Sequence, residues 1–243
     1  MYKSQKVLGI IAARGGSKRV PRKNIMEISG KPLVYYTIES AMSSKHLTRL
    51  ILSSDDGEII DFAKGMGVEV PFVRPALLAT DSASSADVVV HALEFMERNE
   101  VSKFDYACLL EPCSPLRAAD DIDRAITNLI ESGYESTISL VPSDCGTPYR
   151  IRYILNNEVE FAFEDKYYDC IKNKNNYPKA YIPGGGIFCS KVDSIKKEKK
   201  LFAGRVLPYV MDKFHGIDIN EMDDFVISEC LLRNKNYLSR EKT

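Results

Sequence analysis

Between Ala13 and Lys31 the chain gathers six basic side chains (Arg14, Lys18, Arg19, Arg22, Lys23 and Lys31) against one acid, Glu27, and sets Gly15-Gly16-Ser17 among them. Glycines let backbone N–H groups approach an anion closely and Lys and Arg neutralise it, so this composition describes an anion cradle. A polyphosphate is the anion that would use so many donors and charges, which points to a nucleotide. The spacing is neither G-x-G-x-x-G nor a Walker A motif. The plain alternative is a solvated basic turn, but such a turn does not need the Gly-Gly pair. Ala13, Arg14, Gly15, Gly16, Ser17, Lys18 and Asn24 are the candidate phosphate contacts. Arg14 and Lys23 are the cations placed to offset charge on a leaving pyrophosphate, since phosphoryl and nucleotidyl transfer rest mostly on positioning and electrostatics.

Four further segments carry candidate chemistry. In Val73-Arg74-Pro75 through Ser85, serines ahead of a helix suit nucleotide contacts, although Ser and Asp also simply cap helices. In Leu109-Leu110-Glu111-Pro112-Cys113-Ser114-Pro115-Leu116-Arg117, two prolines stiffen a loop at a strand end, a good substrate wall. The bland version is a connector with Arg117 paired to Asp120 or Asp121. In His215-Gly216-Ile217-Asp218-Ile219-Asn220, alternation sets Asp218 and Asn220 on one side of a short strand, a pair of oxygen ligands suited to Mg²⁺. Asn220 also suits an N-cap for the helix that follows. Tyr181-Ile182-Pro183-Gly184-Gly185-Gly186 is a triple-glycine turn that admits a ligand or another backbone, or a barely constrained loop.

These segments need a frame. Apolar runs of strand length at 6–12, 48–53, 68–73, 105–110 and 135–141 alternate with helical patterns at 32–43, 57–66, 84–98 and 119–132. Alternating β and α units predict a three-layer, mostly parallel, doubly wound sheet. Ligands in such sheets bind beyond the C-terminal strand ends, where the basic loop falls. The pattern breaks near Pro142. From about 143 to 180 the sequence reads as an insertion with a hairpin, 150–155 and 158–163, turning at Asn156-Asn157. The sheet resumes at Gly186-Ile187-Phe188-Cys189, five lysines between Lys191 and Lys200 mark a solvated helix face, and a last helix runs from about 220 to 234.

The 243 residues suit one α/β domain with an insertion, and 44% hydrophobic with 28% charged residues is ordinary for a globular chain. A net charge of −1 makes the basic loop a local feature and argues against nucleic acid as a partner. Six cysteines without a C-x-x-C pair and three histidines argue against a zinc site or disulfide framework. No apolar stretch reaches membrane-span length, and the N-terminal apolar run ends in Arg14 without a cleavage site, so a cytoplasmic location is expected.

In order along nearly the whole chain, IIAARGGSKRVPRKNI, LILSSDD, VRPALLATDSASS, LLEPCSPLR and GIDINEMDDF resemble the motifs of the CMP-sialic acid synthetases, also called acylneuraminate cytidylyltransferases. The resemblance implies a fold of the nucleotide-diphospho-sugar transferase type, with an inserted lobe at about 143–180 that helps form a homodimer. It implies attack by the anomeric hydroxyl of a nine-carbon 2-keto-3-deoxy sugar acid on the α-phosphorus of CTP, with Mg²⁺ bridging phosphate oxygens. Arg14, Ser17, Lys23 and Asn24 would then meet the triphosphate, and Arg74, Ser82 and Ser84 the cytidine. Glu111, Ser114, Arg117, Tyr181 and Gly185 would line the sugar site, and Asp218 with Asn220 would hold the metal. Glu111 stands where the family often has glutamine, Asn220 where many members have a second aspartate, and 181–186 lacks a common arginine and asparagine. These departures bring legionaminate or pseudaminate forward as substrates. Alternatives are an eight-carbon acid such as 3-deoxy-manno-octulosonate, or a nucleotide-binding homologue that has lost catalysis.

Overall fold

The computed structural model describes residues 4–99, 103–143, 148–164, 166, 168, 172 and 178–234. Val7–Ala12 forms β1, and its near-continuous apolar sequence places it with both faces covered, as parallel central strands require. Its neighbours are β4 (Arg49–Ser53) and β5 (Tyr106–Leu110), both parallel to it. The main sheet has the order β10-β6-β9-β5-β1-β4, with β6 at Ser136–Pro142, β9 at Tyr181–Lys191 and β10 at Val206–Val210. Only β9 runs against the others, wedged between β5 and β6. A short antiparallel pair, β2 (Glu27–Ile28) and β3 (Lys31–Pro32), follows the basic loop.

Helices cover both faces, as expected. Alternation along β1 sends Val7 and Ile11 into a core with α1 (Leu33–Met42), α2 (Gly57–Gly65) and α4 (Ala119–Ser132). Leu8 and Ile10 point the other way, against α3 (Ser85–Asn99) and α5 (Val192–Glu198). Local chemistry sets several helix ends. Asp56 caps α2 by accepting from the N–H groups of Glu58 and Ile59, and Gly67 leaves that helix in the left-handed region at φ 85°. α6 (Met222–Arg233) begins where Asp224 accepts from the N–H groups of Asn220 and Glu221.

Several expectations need correction. The run 68–73 is no strand: only Glu69 bridges to Ile51. Residues 217–220 join no ladder, and Ile219 donates a single bond to the Cys113 carbonyl. Asn220 is not the cap of α6, a position held by Glu221. β2, β3 and β10 were not anticipated, because two-residue strands and a proline-bearing run such as Val206–Val210 carry weak periodicity.

The hairpin forms as β7 (Arg152–Leu155) and β8 (Glu158–Phe161). Asn156 and Asn157 both take positive φ, 51° and 65°, the type I′ geometry that asparagine tolerates. Much of the remaining 143–180 insertion, including 144–147 and 173–177, lies outside the described residues, as do Cys145 and Cys170. Cys108, Cys113, Cys189 and Cys230 are free thiols. Among the described residues no helix is long and apolar enough to cross a membrane.

Candidate active site

The loop after β1 is held in shape by its own polar atoms. The Ala13 N–H donates to the Ser53 carbonyl at 3.0 Å, and Asn24 Nδ2 donates to the Arg14 carbonyl at 2.8 Å. Ala13 and Asn24 are therefore buried supports of the loop. The Gly15 N–H donates to Asp55 Oδ1 at 3.0 Å, and a Cβ on Gly15 would lie 2.6 Å from an Asp56 carboxylate oxygen. Close approach to the Asp55-Asp56 turn explains this glycine, whereas Gly16 is exposed with open space around it.

The loop forms one wall of a cleft of about 560 Å³ beyond the ends of β1 and β5. Arg14, Ser17, Lys18, Arg19, Lys23 and Asn24 line that wall, and Arg74, Thr80, Asp81 and Ser85 face them. Glu111, Cys113 and Asn220 line the remainder. The cations are tied across the cleft. Arg14 and Lys18 both pair with Asp81, at 2.8 and 2.6 Å. Arg19 donates to Asn220 Oδ1 at 3.2 Å, and Lys23 Nζ to the Ile219 carbonyl at 2.6 Å. The last two bonds strap the segment ahead of α6 to the basic loop.

Arg74 is buried, with Nε donating to Ser53 Oγ at 3.0 Å and its guanidinium also reaching the Ser53 carbonyl. Burial, opposed by Asp55 and aided by Arg14, pulls its pKa down to about 10. Ser84 caps α3, accepting from the Asp87 N–H at 3.1 Å and donating to the Asp87 carboxylate at 2.7 Å. Ser82 bonds Thr80 at 3.1 Å. Neither serine lines the cleft; of the three serines expected to meet the nucleotide, Ser82, Ser84 and Ser85, only Ser85 does, together with Thr80.

The remaining wall carries one carboxylate, Glu111, with Asp218 near it outside the lining. Burial and the charge of Asp218 raise the Glu111 pKa, with Lys23, Arg117 and the Cys113 thiol pulling it partly back. Burial likewise raises Asp218, against bonds from the Ser114 hydroxyl and the Gly185 N–H. The Cys113 thiol lies 3.8 Å from Glu111 Oε2, and burial beside both carboxylates drives its pKa up.

Arg117 does not reach the cleft lining. Its guanidinium donates to the carbonyls of Glu111, Gly185 and Gly186 and to the Thr37 hydroxyl, at 2.8–3.2 Å. It pairs with neither Asp120 nor Asp121: Asp120 pairs with Arg124, and Asp121 with His215. Arg117 thus pins the glycine turn of β9 to the end of β5. That turn is tightly constrained, since Gly185 and Gly186 sit at φ 80° and 56°. A Cβ on Gly185 would strike Met211, and one on Gly186 would come within 2.8 Å of Ser114 Oγ. Tyr181, at the start of β9 opposite Pro142, lies outside the cleft lining.

The oxygens here fit a cation that takes most of its ligands from phosphates and water, the habit of Mg²⁺. Asp218 lies outside the cleft lining, with one carboxylate oxygen accepting from the Ser114 hydroxyl and the Gly185 N–H, and Asn220 lines the cleft with its amide oxygen engaged by Arg19. Among the described residues no three His, Cys, Asp or Glu side chains gather into a cage. Asp81 and Arg19 are cleft residues that sequence reasoning passed over. An acid in a serine- and alanine-rich loop opposite a basic one was the available signal for Asp81.

Known proteins resemble this chain in sequence and in fold. A family model described as "Cytidylyltransferase" matches residues 8–179. The pseudaminic acid cytidylyltransferase of Campylobacter jejuni is 33% identical over 94% of this chain and 97% of its own length. The CMP-N,N'-diacetyllegionaminic acid synthase of Legionella pneumophila is 30% identical over 93% and 96%. In structure, a CMP:2-keto-3-deoxy-manno-octonic acid synthetase complexed with CTP superposes with a TM-score of 0.69 at 14% identity, covering 95% of this chain and all of that one, which shows a shared fold. On its sequence and its fold, the chain belongs to the cytidylyltransferase family of nucleotidyltransferases.

Proposed function

We propose that this protein, acting as one cytidylyltransferase domain, activates a nine-carbon 2-keto-3-deoxy sugar acid with CTP. The products are the CMP-sugar and pyrophosphate. The observation that carries this reading is a single cleft that brings together Arg14 and Lys18 of the basic loop, the carboxylate of Glu111, and Lys23, which is close enough to Glu111 to offset its charge. Relatives 33%, 31% and 30% identical are named for pseudaminic, N-acylneuraminic and legionaminic acid, which supports a nine-carbon acid of this group as the substrate.

The triphosphate lies along the basic loop, with Ser17 and Gly16 as donors. Arg74, Ser82 and Ser84 belong to the cytidine side: Arg74 as a cleft wall, the serines as supports of the Thr80–Ser85 turn. The sugar's anomeric hydroxyl gives up its proton to solvent and its oxygen bonds to the α-phosphorus as the bond from that phosphorus to the bridging β-phosphate oxygen breaks. Arg14 and Lys23 neutralise the departing pyrophosphate, a form of preorganised electrostatic stabilisation. Glu111 accepts hydrogen bonds from a hydroxyl or amide of the sugar. Ser114, Arg117 and Gly185 position Glu111 and Asp218, and Tyr181 lies at the outer margin. Asp218, and Asn220 once it leaves Arg19, would hold Mg²⁺, which when bound would offset phosphate charge and align the attack. The protein works in the cytoplasm as a homodimer joined through the 143–180 lobe, whose hairpin exposes Tyr153, Ile154, Leu155 and Val159.

The test is pyrophosphate release from CTP with pseudaminate, legionaminate, N-acetylneuraminate and 3-deoxy-manno-octulosonate in parallel. Release is expected with a nine-carbon acid, and Lys23→Ala is expected to lower that turnover by about 10²-fold with its melting temperature little changed. Release with octulosonate alone would refute the sugar assignment. Tight CTP binding without turnover of any acid would favour the binding-only homologue.

A further inference from the structure

Asp81 is the one acidic side chain among the described residues that pairs with Arg14 and Lys18, taking one on each carboxylate oxygen. Arg14 and Lys18 are also two of the cations on the phosphate-loop wall of the cleft, and Asp81 faces them from the opposite wall. The loop around Asp81 is built to present it. The 3-10 turn Ala76–Leu78 leads into it, Thr80 bonds Ser82 at 3.1 Å, and Ser84 fixes the start of α3 immediately after. Asp81 is half-exposed and Lys18 largely exposed. Both cations hold the Asp81 carboxyl below its ordinary pKa, so it carries its charge at neutral pH.

We propose that Asp81 is an intramolecular competitor for the phosphate groups of the nucleotide, holding Arg14 and Lys18 until a polyphosphate displaces it and reclaiming them as pyrophosphate departs. This rests on the reading that the β- and γ-phosphates of CTP lie on the basic loop. Exposed ion pairs are individually weak, so a ligand with several charges outcompetes one carboxylate. A tethered carboxylate nevertheless has a high local concentration, enough to oppose rebinding of pyrophosphate. CMP carries only the α-phosphate and does not reach these two cations. Asp81 therefore affects CTP and pyrophosphate and leaves CMP alone.

The experiment is calorimetric titration of CTP, inorganic tripolyphosphate and CMP into the wild-type protein, Asp81→Asn and Asp81→Glu at one fixed ionic strength, with thermal melting to check folding. Asp81→Asn is expected to bind CTP and tripolyphosphate roughly three- to tenfold tighter, with CMP affinity unchanged. Asp81→Glu is expected to resemble the wild type. Pyrophosphate should inhibit Asp81→Asn at correspondingly lower concentration. Should Asp81→Asn fail to fold, Asp81→Ser carries the same expectation. Unchanged or weaker CTP binding in a folded, uncharged variant would overturn the competitor role. Equal tightening for all three ligands would also overturn it, by showing only a general rise in cleft potential. If the wild type bound neither CTP nor tripolyphosphate, the site assignment itself would fail and the inference with it. Wild-type binding with no gain in Asp81→Asn would instead sink the inference and leave the site standing.

Discussion

Glu111 faces a demanding environment for a carboxylate: largely enclosed, beside Asp218, with Lys23 and Arg117 as the charges that offset it. Its raised pKa has a consequence for stability. Between the ordinary glutamate value and the raised folded value the native state holds more protons than the unfolded one, so stability falls as pH rises through that window. Removing the charge should remove the penalty. Glu111→Gln is expected to melt about 2–4 °C above the wild type at pH 8, with the two converging near pH 4. Melting curves across that range check it, and a variant less stable at every pH would show that Glu111 is a net stabiliser of the fold. The sequence made the phosphate loop legible because glycine and cation types declare their chemistry wherever they sit. It could not show that the Gly15 N–H is committed to Asp55, or that Arg117 serves three backbone carbonyls. Those partners lie 40 or more residues away, or turn on which carbonyl a side chain meets after folding.

Strands and helices with strong periodicity were readable for the converse reason. β1, β4, β5 and the four helices from α1 to α4 bury continuous apolar faces, and burial is what periodicity reports. The 68–73 run is apolar yet carries Pro71, and it forms one bridge only. The direction of β9 was hidden, because pairing partners cannot be inferred from a strand's own sequence. Within the insertion, the hairpin was legible from Asn156-Asn157, and its surface makes a testable claim. Ile154 and Val159 are cross-strand partners, 77% and 65% exposed, an apolar pair that a monomer would leave in water. Sedimentation is expected to give twice the 27.3 kDa chain mass for the wild type. The Ile154→Lys/Val159→Lys double variant is expected to sediment as a monomer. A monomeric wild type, or a dimer unaffected by both lysines, would place the interface elsewhere or remove it.

Taken whole, the molecule gathers the cations of the basic loop and the carboxylate of Glu111 in one cleft beyond the ends of β1 and β5 while its overall charge stays near neutral. A cleft of this composition suits a reaction that holds a polyphosphate beside a hydroxylated acid. Two straps, Lys23 to the Ile219 carbonyl and Arg19 to Asn220, join residues about 200 positions apart. They make the geometry of the phosphate wall depend on the segment ahead of α6. The measurement that bears most directly on this arrangement is a crystal structure of the protein with CTP bound. The β- and γ-phosphate oxygens are expected within about 2.7–3.2 Å of donors on Arg14, Lys18 or Lys23. A triphosphate bound outside this cleft, or within it but turned away from the Gly15-Gly16 loop, would contradict the account.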